Sequence, residues 1–187
     1  MDTGDVGINY AAGQGKNFET GKNPTQYSWA FNNYLRENHG VFAMGSHVSA
    51  GIEDILAEDN VSFLSDNGLY ILSTPPTGGG VRRIVFRDTA MRETGTSNKN
   101  IHAGGRVFTN GGLIGSPVTI TLAFKAGSNF FENATKSAQF RDITIQRVTI
   151  ENTNASSGNP AISMDGVSAS NVSGSYPETN NINVVRF

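Results

Sequence analysis

The chain contains no cysteine, which excludes a disulfide framework and a thiolate metal site. Charged residues are also scarce, at 16% of the 187 residues, where average proteins have about 25%. The formal net charge is only −2, so there is no electrostatic footprint for nucleic acid. No apolar run approaches the roughly 20 residues that span a bilayer. Residues Met1 to Asp5 lack the basic and apolar regions of a signal peptide. We therefore expect no nucleic-acid partner, no membrane partner and no signal peptide in this chain.

Turn-forming residues are abundant instead. The sequence contains 22 Gly, 6 Pro and 20 Asn, whereas a helical bundle or coiled coil needs Ala, Leu, Glu and Lys in quantity. Its hydrophobic fraction of 37% is sufficient for a core at this length. These numbers favour one domain that is built mainly from strands and turns.

A repeat runs along the chain. Residues 52–60 read IEDILAEDN, and residues 81–89, which begin 29 positions later, read VRRIVFRDT. The similar segment FRDITIQRV at 140–148 begins 59 positions after the second, or about two further repeats. Each segment alternates apolar and polar residues, which predicts half-buried strands. We expect another strand at 182–185.

Strands that recur every 26 to 36 residues or so, without helices between them, predict a solenoid of stacked parallel coils. In this register Trp29, Ile55, Ile84 and Ile143 occupy equivalent inward positions. The alternative is an ordinary β-sandwich, in which turn signals recur every 8 to 12 residues or so. The sequence similarity between the repeated segments favours the solenoid.

Three motif regions stand out in the first half of the chain. They read TGDVGINYAAG at 3–13, FNNYL through ENHG to GSH at 31–47, and SDNGLYIL at 65–72. Together they resemble the polygalacturonases of glycoside hydrolase family 28, and most closely the C-terminal part of the bacterial exo-acting branch. The resemblance is dense up to about Arg92. It implies an all-β, right-handed single-stranded parallel β-helix. We expect residues 1–187 to form one such domain without its upstream coils, with the motifs in 1–95 and further coils and loops in 96–187.

The resemblance also implies site residues. Family members hydrolyse α-1,4-linked galacturonate with inversion, using three aspartates, a histidine and an Arg/Lys pair that binds the sugar carboxylate. Asp5 matches the general acid and His39 matches the histidine, but Val6 replaces the second aspartate of the motif. Tyr70 and Leu72 replace the Arg/Lys pair. The GSH motif implies a substrate contact for His47, with a surface role as the alternative.

Spacing suggests how these residues are arranged. Asp5, His39 and Tyr70 are 34 and 31 residues apart, close to one coil each time, so we expect them to stack as successive rungs of a groove wall. Tyr70 would either stack on a sugar ring or pack at the rim. Lys16 and Lys22, in the loop after Gly13, are candidates for the missing positive charge, although most lysines in such loops are simply solvated.

An acidic group at Glu53, Asp54, Glu58 and Asp59 raises the alternative of a calcium site, since calcium prefers oxygen ligands. Strand alternation, however, predicts that Glu53 and Asp54 point to opposite faces of one strand. We therefore expect a solvated face here, with no bound metal and no cofactor.

Three hypotheses about function remain open. The chain is part of a polygalacturonase-type hydrolase, a β-helix that binds carbohydrate without catalysis, or a structural solenoid. The resemblance implies an acidic plant polysaccharide or oligosaccharide as the partner, and a secreted or periplasmic full-length protein. Because a cut β-helix exposes backbone groups at its open end, we also expect self-association or capping at the N-terminal coil, through residues 5–11.

Overall fold

The computed structural model describes residues 1–3, 5–18, 23–73, 77–95, 101–103, 106–108, 116–122, 138–151, 160–165 and 182–185. Within these residues it contains strands and no helix, and therefore no helix that could cross a membrane. The strands are β1 Val6–Tyr10, β2 Thr25–Phe31, β3 Tyr34–Met44, β4 Ile52–Glu58, β5 Asn60–Leu72, β6 Gly80–Thr94, β7 Ile101–Ala103, β8 Arg106–Phe108, β9 Val118–Thr121, β10 Gln139–Glu151, β11 Ile162–Asp165 and β12 Ile182–Val185.

All strands except β7 and β8 belong to one sheet of parallel pairs that wraps into coils. One set of strands, the first face, contains β1, the second halves of β3 and β5, and then β9 and β11. The second face contains β2, β4, the first halves of β6 and β10, and β12. The first halves of β3 and β5 pair in line with the second halves of β6 and β10 and form the third face. The predicted partial parallel β-helix is confirmed, and so is the strand at 182–185.

Residues with a left-handed backbone mark the bends, and they recur every five positions within a coil. Their φ angles lie between 48° and 57° although none of them is glycine. The residues of each set occupy equivalent places in successive coils. They are not paired themselves, although the residues on either side of them pair in register. The three sets are Tyr27, Asp54, Arg83 and Asp142; Asn32, Asp59, Asp88 and Arg147; and Glu37, Leu64 and Glu93.

The core consists of stacks of like residues inside the coils. Ile55 pairs in register with Ile84, and Ile84 pairs with Ile143. All three side chains are at most 1% exposed. Parallel pairing brings each side chain onto its equivalent in the next coil, so apolar area is buried continuously along the solenoid. The predicted inward stack of these three isoleucines is confirmed.

The register predicted for Trp29 is wrong by one position. Ser28, not Trp29, pairs with Ile55, while Trp29 pairs with Leu56 and is 60% exposed. Tyr10 occupies the interior at this level, and its hydroxyl lies 3.0 Å from the Ser28 hydroxyl. A small polar side chain therefore faces inward in β2, and the tryptophan points outward.

The predicted number of coils also needs correction. Residues 139–151 pair directly with residues 80–92, so the 59-residue step from Val81 to Phe140 is one coil. Part of the additional length is the antiparallel hairpin of β7 and β8, which interrupts the coil before β9. Pairing resumes after this hairpin, where Leu69 faces Val118.

The expectation of a solvated acidic face is wrong for Glu53 and Glu58, which are buried, whereas Asp59 is exposed. The predicted split of Glu53 and Asp54 between two faces is also wrong, because both contact Arg83. Glu53 is only 7% exposed, and the Arg82 guanidinium donates to it at 2.9 and 3.0 Å. Arg83 bonds both Glu53 and Asp54, because the left-handed backbone at Asp54 interrupts the strand alternation. Hydrogen bonds from Arg82, and then from Arg83, lower the pKa of Glu53 against the opposing effect of its burial. Glu58 is bonded in the same manner by Arg87, at 2.7 Å.

Replacing Ile84 with alanine should reduce the free energy of unfolding by about 2–5 kcal/mol, because the side chain is fully buried between two equivalent isoleucines. Val85→Ala is the matched control, since the adjacent side chain is half-buried outside this stack. Denaturant unfolding of both variants measures the difference. A loss below about 1 kcal/mol for Ile84→Ala would contradict the stacked core.

Strand β1 is paired with β3 on one edge, and no second partner strand for β1 lies among the described residues. Pairing of its other edge with a second chain or with a capping loop stays a prediction, because unpaired strand edges favour association. If β1 pairs with a second chain, sedimentation should give a mass above that of the monomer. Hydrogen exchange should show slowly exchanging amides in residues 5–11. A monomer in which these amides exchange fast would contradict it.

Candidate functional site

The candidate site lies at the start of the first face, where three adjacent coils contribute one residue each. Asp5 directly precedes β1, His39 lies in β3, and Asp66 lies in β5. The neighbouring pairs Val6–Gly40 and Gly40–Asn67 set the register, so these three residues lie side by side across the coils. The His39 amide donates to the Asp5 carbonyl at 3.0 Å. The expected proximity of Asp5 and His39 is therefore present in the structure.

Asp66 is a site residue that the sequence analysis did not identify. Its carboxylate oxygen Oδ2 lies 2.9 Å from Nδ1 of His39, and the residue is only 4% exposed. A signal for it existed in the sequence, since Asp66 follows His39 by 27 residues, as Ser65 follows its register partner Asn38. In the same motif, the family resemblance implies site positions at Tyr70 and Leu72.

The environment of His39 favours its charged form. The hydrogen bond to Asp66 raises the pKa of the imidazole, and the negative charges of Asp66 and Asp5 act in the same direction. Partial burial opposes these effects, because burial disfavours a charged group. The net direction is upward, so His39 carries its proton at a higher pH than an isolated histidine does.

Tyr70 contacts His39 but is not the next rung of the same row, as the sequence predicted. Its register partner is Ala43, four positions beyond His39. The two rings nevertheless meet edge to face, with centroids 6.0 Å apart and planes at 85°. A Cβ placed at Gly40 would lie 3.6 Å from the Tyr70 Cβ, an ordinary van der Waals distance, so the approach of the two rings does not depend on the glycine. Burial raises the pKa of the Tyr70 hydroxyl, which therefore stays protonated at neutral pH.

Asp5 is exposed, and its surroundings hold the backbone in place while leaving much of the carboxylate accessible. The Thr3 hydroxyl donates to the Asp5 carbonyl at 2.7 Å, and the Val6 amide donates to Oδ1 of Asp5 at 2.8 Å. The adjacent Val6 is apolar and has no group that could orient a water molecule. The site therefore presents one accessible carboxylate at this end, with a histidine beside it.

The other two predicted substrate contacts are His47 and Lys16. His47 follows the end of β3, eight residues beyond His39, and its carbonyl accepts from the Ala12 amide at 2.7 Å. Lys16 is exposed in the turn that follows Gly15. Lys22 lies outside the described residues. The predicted roles of His47 and Lys16 in substrate binding stay predictions.

The cluster combines a carboxylate open to solvent, an imidazole with a raised pKa and a protonated phenol. Such groups exchange protons with, and hydrogen-bond to, the hydroxyl and glycosidic oxygens of a sugar. Within the part of the chain that the structure describes, no group of His, Asp or Glu side chains is arranged to hold a metal ion. The fold and the site together define a parallel β-helix with aspartate, histidine and tyrosine side chains clustered at the start of its first face.

Comparison with known proteins agrees with this description, although no family model matches the chain. The chain is 38% identical over 172 residues to the exo-poly-alpha-D-galacturonosidase of Dickeya chrysanthemi. The match covers 92% of this chain and 25% of that protein. The solved structure of the Yersinia enterocolitica family 28 exopolygalacturonase aligns with a TM-score of 0.77 and 34% identity. That alignment covers 99% of this chain and 28% of the other.

The resemblance seen in the motifs is confirmed. The chain is a relative of the family 28 polygalacturonases, with their parallel β-helix fold. It spans about a quarter of the length of the two proteins that it matches.

The raised pKa of His39 predicts a contribution to stability that depends on pH. This contribution is fully present below the pKa of an unfolded histidine, about 6.5, and is lost as the pH rises through the higher pKa of the folded state. His39→Gln should therefore destabilise the protein more at about pH 5.5 than at about pH 8.5. Urea unfolding of both proteins at the two pH values measures this. An equal or larger loss at the higher pH would contradict a raised pKa.

Proposed function

We propose that this chain is part of a pectin-degrading glycoside hydrolase of the polygalacturonase type. The observation that carries the proposal is the placement of Asp5 beside His39, with Tyr70 against the same imidazole. The relationship to the two exo-acting enzymes supports the choice of an acidic plant polysaccharide or oligosaccharide as the partner. By the same relationship we propose that the full-length protein acts outside the cytoplasm, as a secreted or periplasmic protein.

In this proposal Asp5 is the general acid of an inverting reaction. In its protonated form, the accessible carboxyl group would donate its proton to the leaving oxygen of the glycosidic bond and become a carboxylate. Inversion also requires a base that activates water on the opposite side, with the two groups about 6.5–9.5 Å apart. His39, whose pKa is raised, would donate a hydrogen bond to the sugar or to Asp5, and Tyr70 would contact the sugar from the neighbouring position.

We further propose that hydrolysis of polygalacturonate by this chain alone is weak or absent. Val6 stands where the family resemblance implies an aspartate, and general base catalysis typically contributes about 10²–10⁴-fold. Tyr70 and Leu72 stand where it implies the pair of cations that binds the sugar carboxylate. Leu72 is only 6% exposed, so the replacement at this position offers a ligand neither charge nor surface.

Carbohydrate binding without turnover is the second candidate function. It is favoured by the contact of His39 with Tyr70, since both side chains are partly exposed and can contact a sugar without a catalytic base. In this case the affinity should depend on Tyr70 and His39, while Asp5 should matter little.

A reducing-end assay of the chain on polygalacturonate tests the proposal. We expect very slow release of reducing ends, a further loss in Asp5→Asn, and a gain in Val6→Asp, because the new carboxylate adds a group that can hold water. Asp54→Asn is the matched control, since this aspartate is bonded to Arg83 on the second face, and it should leave the rate unchanged.

Three outcomes would contradict parts of the proposal. Robust turnover by the unaltered chain that Asp5→Asn abolishes would show that the chain contains a catalytic base that the proposal does not assign. Turnover that Asp5→Asn leaves unchanged would show that Asp5 is not the acid. Binding of oligogalacturonate with no turnover in any variant, lost in Tyr70→Ala, would favour the second candidate function.

A further inference from the structure

The role of Asp66 is not explained by the reaction outlined above. Its carboxylate is the partner of His39 Nδ1 at 2.9 Å, and the residue is only 4% exposed to solvent. Buried carboxylates are rare unless they are paired, and within the described part of the chain the side-chain partner of this carboxylate is His39.

The backbone of His39 is held from both sides as well. Its amide donates to the Asp5 carbonyl at 3.0 Å in the preceding coil, and its carbonyl accepts from Asn67 Nδ2 at 3.2 Å in the following coil. The Asn67 amide oxygen in turn accepts from the Thr119 hydroxyl at 3.0 Å. The consecutive residues Asp66 and Asn67 thus hold the side chain and the main chain of one histidine.

We propose that Asp66 is the positioning residue of His39: its buried carboxylate accepts the Nδ1 hydrogen, fixes the ring, and leaves Nε2 as the nitrogen that meets the ligand. An ionised carboxylate can only accept, so Nδ1 must carry hydrogen in both the neutral and the charged ring. Neutral His39 is then the Nδ1–H tautomer, in which Nε2 is an acceptor. The charged ring donates from both nitrogens.

Three ionisable groups surround the imidazole. Asp66 faces Nδ1, Asp5 lies beside it in the preceding coil, and the Tyr70 ring meets it edge to face. Asp5 is the exposed one of the two carboxylates, so its charge is more strongly screened by water than that of the buried Asp66. Asp66 should therefore control both the tautomer and most of the proton affinity.

The consequence for a ligand follows from this tautomer. Above its pKa, His39 would accept a hydrogen bond at Nε2 from a sugar hydroxyl, whereas below it the same nitrogen would donate to an oxygen of the ligand or of Asp5. The contact with a sugar rests on the proposed function, whereas the tautomer and the ring orientation do not.

Nitrogen-15 NMR of the three histidines in the intact chain tests the proposal. Long-range proton–nitrogen spectra, assigned with His39→Gln, should show neutral His39 as the Nδ1–H tautomer. In Asp66→Asn, whose amide can donate to Nδ1, the tautomer should switch to Nε2–H. The pKa of His39 should fall by about one to three pH units, which is the effect of removing an opposite charge at this distance.

Asp5→Asn is the comparison variant and should lower the pKa of His39 by less, with the tautomer unchanged. Asp54→Asn, on the second face, controls for general charge effects and should alter neither property. An Nε2–H tautomer in the unaltered chain overturns the proposal, and this measurement does not depend on whether Asp66→Asn folds. An unchanged pKa in folded Asp66→Asn also overturns it. Because none of these measurements uses turnover, failure of the reducing-end assay leaves them valid.

Discussion

The whole fold depends on one backbone constraint: each coil must bend at the same places, so that its strands meet those of the next coil in register. Non-glycine residues at those bends adopt a left-handed conformation, at a cost of about 1–2 kcal/mol each. Strand pairing on both sides of the bend offsets this cost. Side chains at several bends add contacts between coils, as in the bond from Arg147 to Asp88 at 2.5 Å, which lowers the pKa of that aspartate.

The candidate site is a product of the same constraint. Glu37 and Leu64 are equivalent left-handed residues in adjacent coils, and each precedes its site residue by two positions. His39 and Asp66 leave the bend in the same direction and come into hydrogen-bonding contact. A shift of one residue in either strand would separate them, because neighbouring side chains on a strand point to opposite faces. The register that stacks the core isoleucines is therefore also the register that pairs the histidine with its carboxylate.

The sequence predicts the features that repeat from coil to coil. It does not predict the positions at which one coil differs from its neighbours. Alternation and shared wording predicted the parallel β-helix and the stack of Ile55, Ile84 and Ile143, because those positions have the same surroundings in every coil. Trp29 was misplaced because Tyr10 fills the interior at the level of that coil, a contact that no periodicity reveals. The contact between Asp66 and His39 is not predicted, because it depends on a spacing of 27 residues between two coils. The family motif implies a site position at Tyr70 instead.

The hairpin of β7 and β8 shows that a coil can be lengthened at a bend without losing its place in the stack, since β9 resumes pairing with β5 beyond it. The hairpin strand β7 lies next to β3, the strand that contains His39. The site residues and the hairpin near their strand are thus encoded in separate stretches of sequence. Insertions or deletions between β6 and β9 can change what lies beside the site while the site residues stay unchanged. In evolutionary terms, such a scaffold can vary the surroundings of a fixed site through loop length alone.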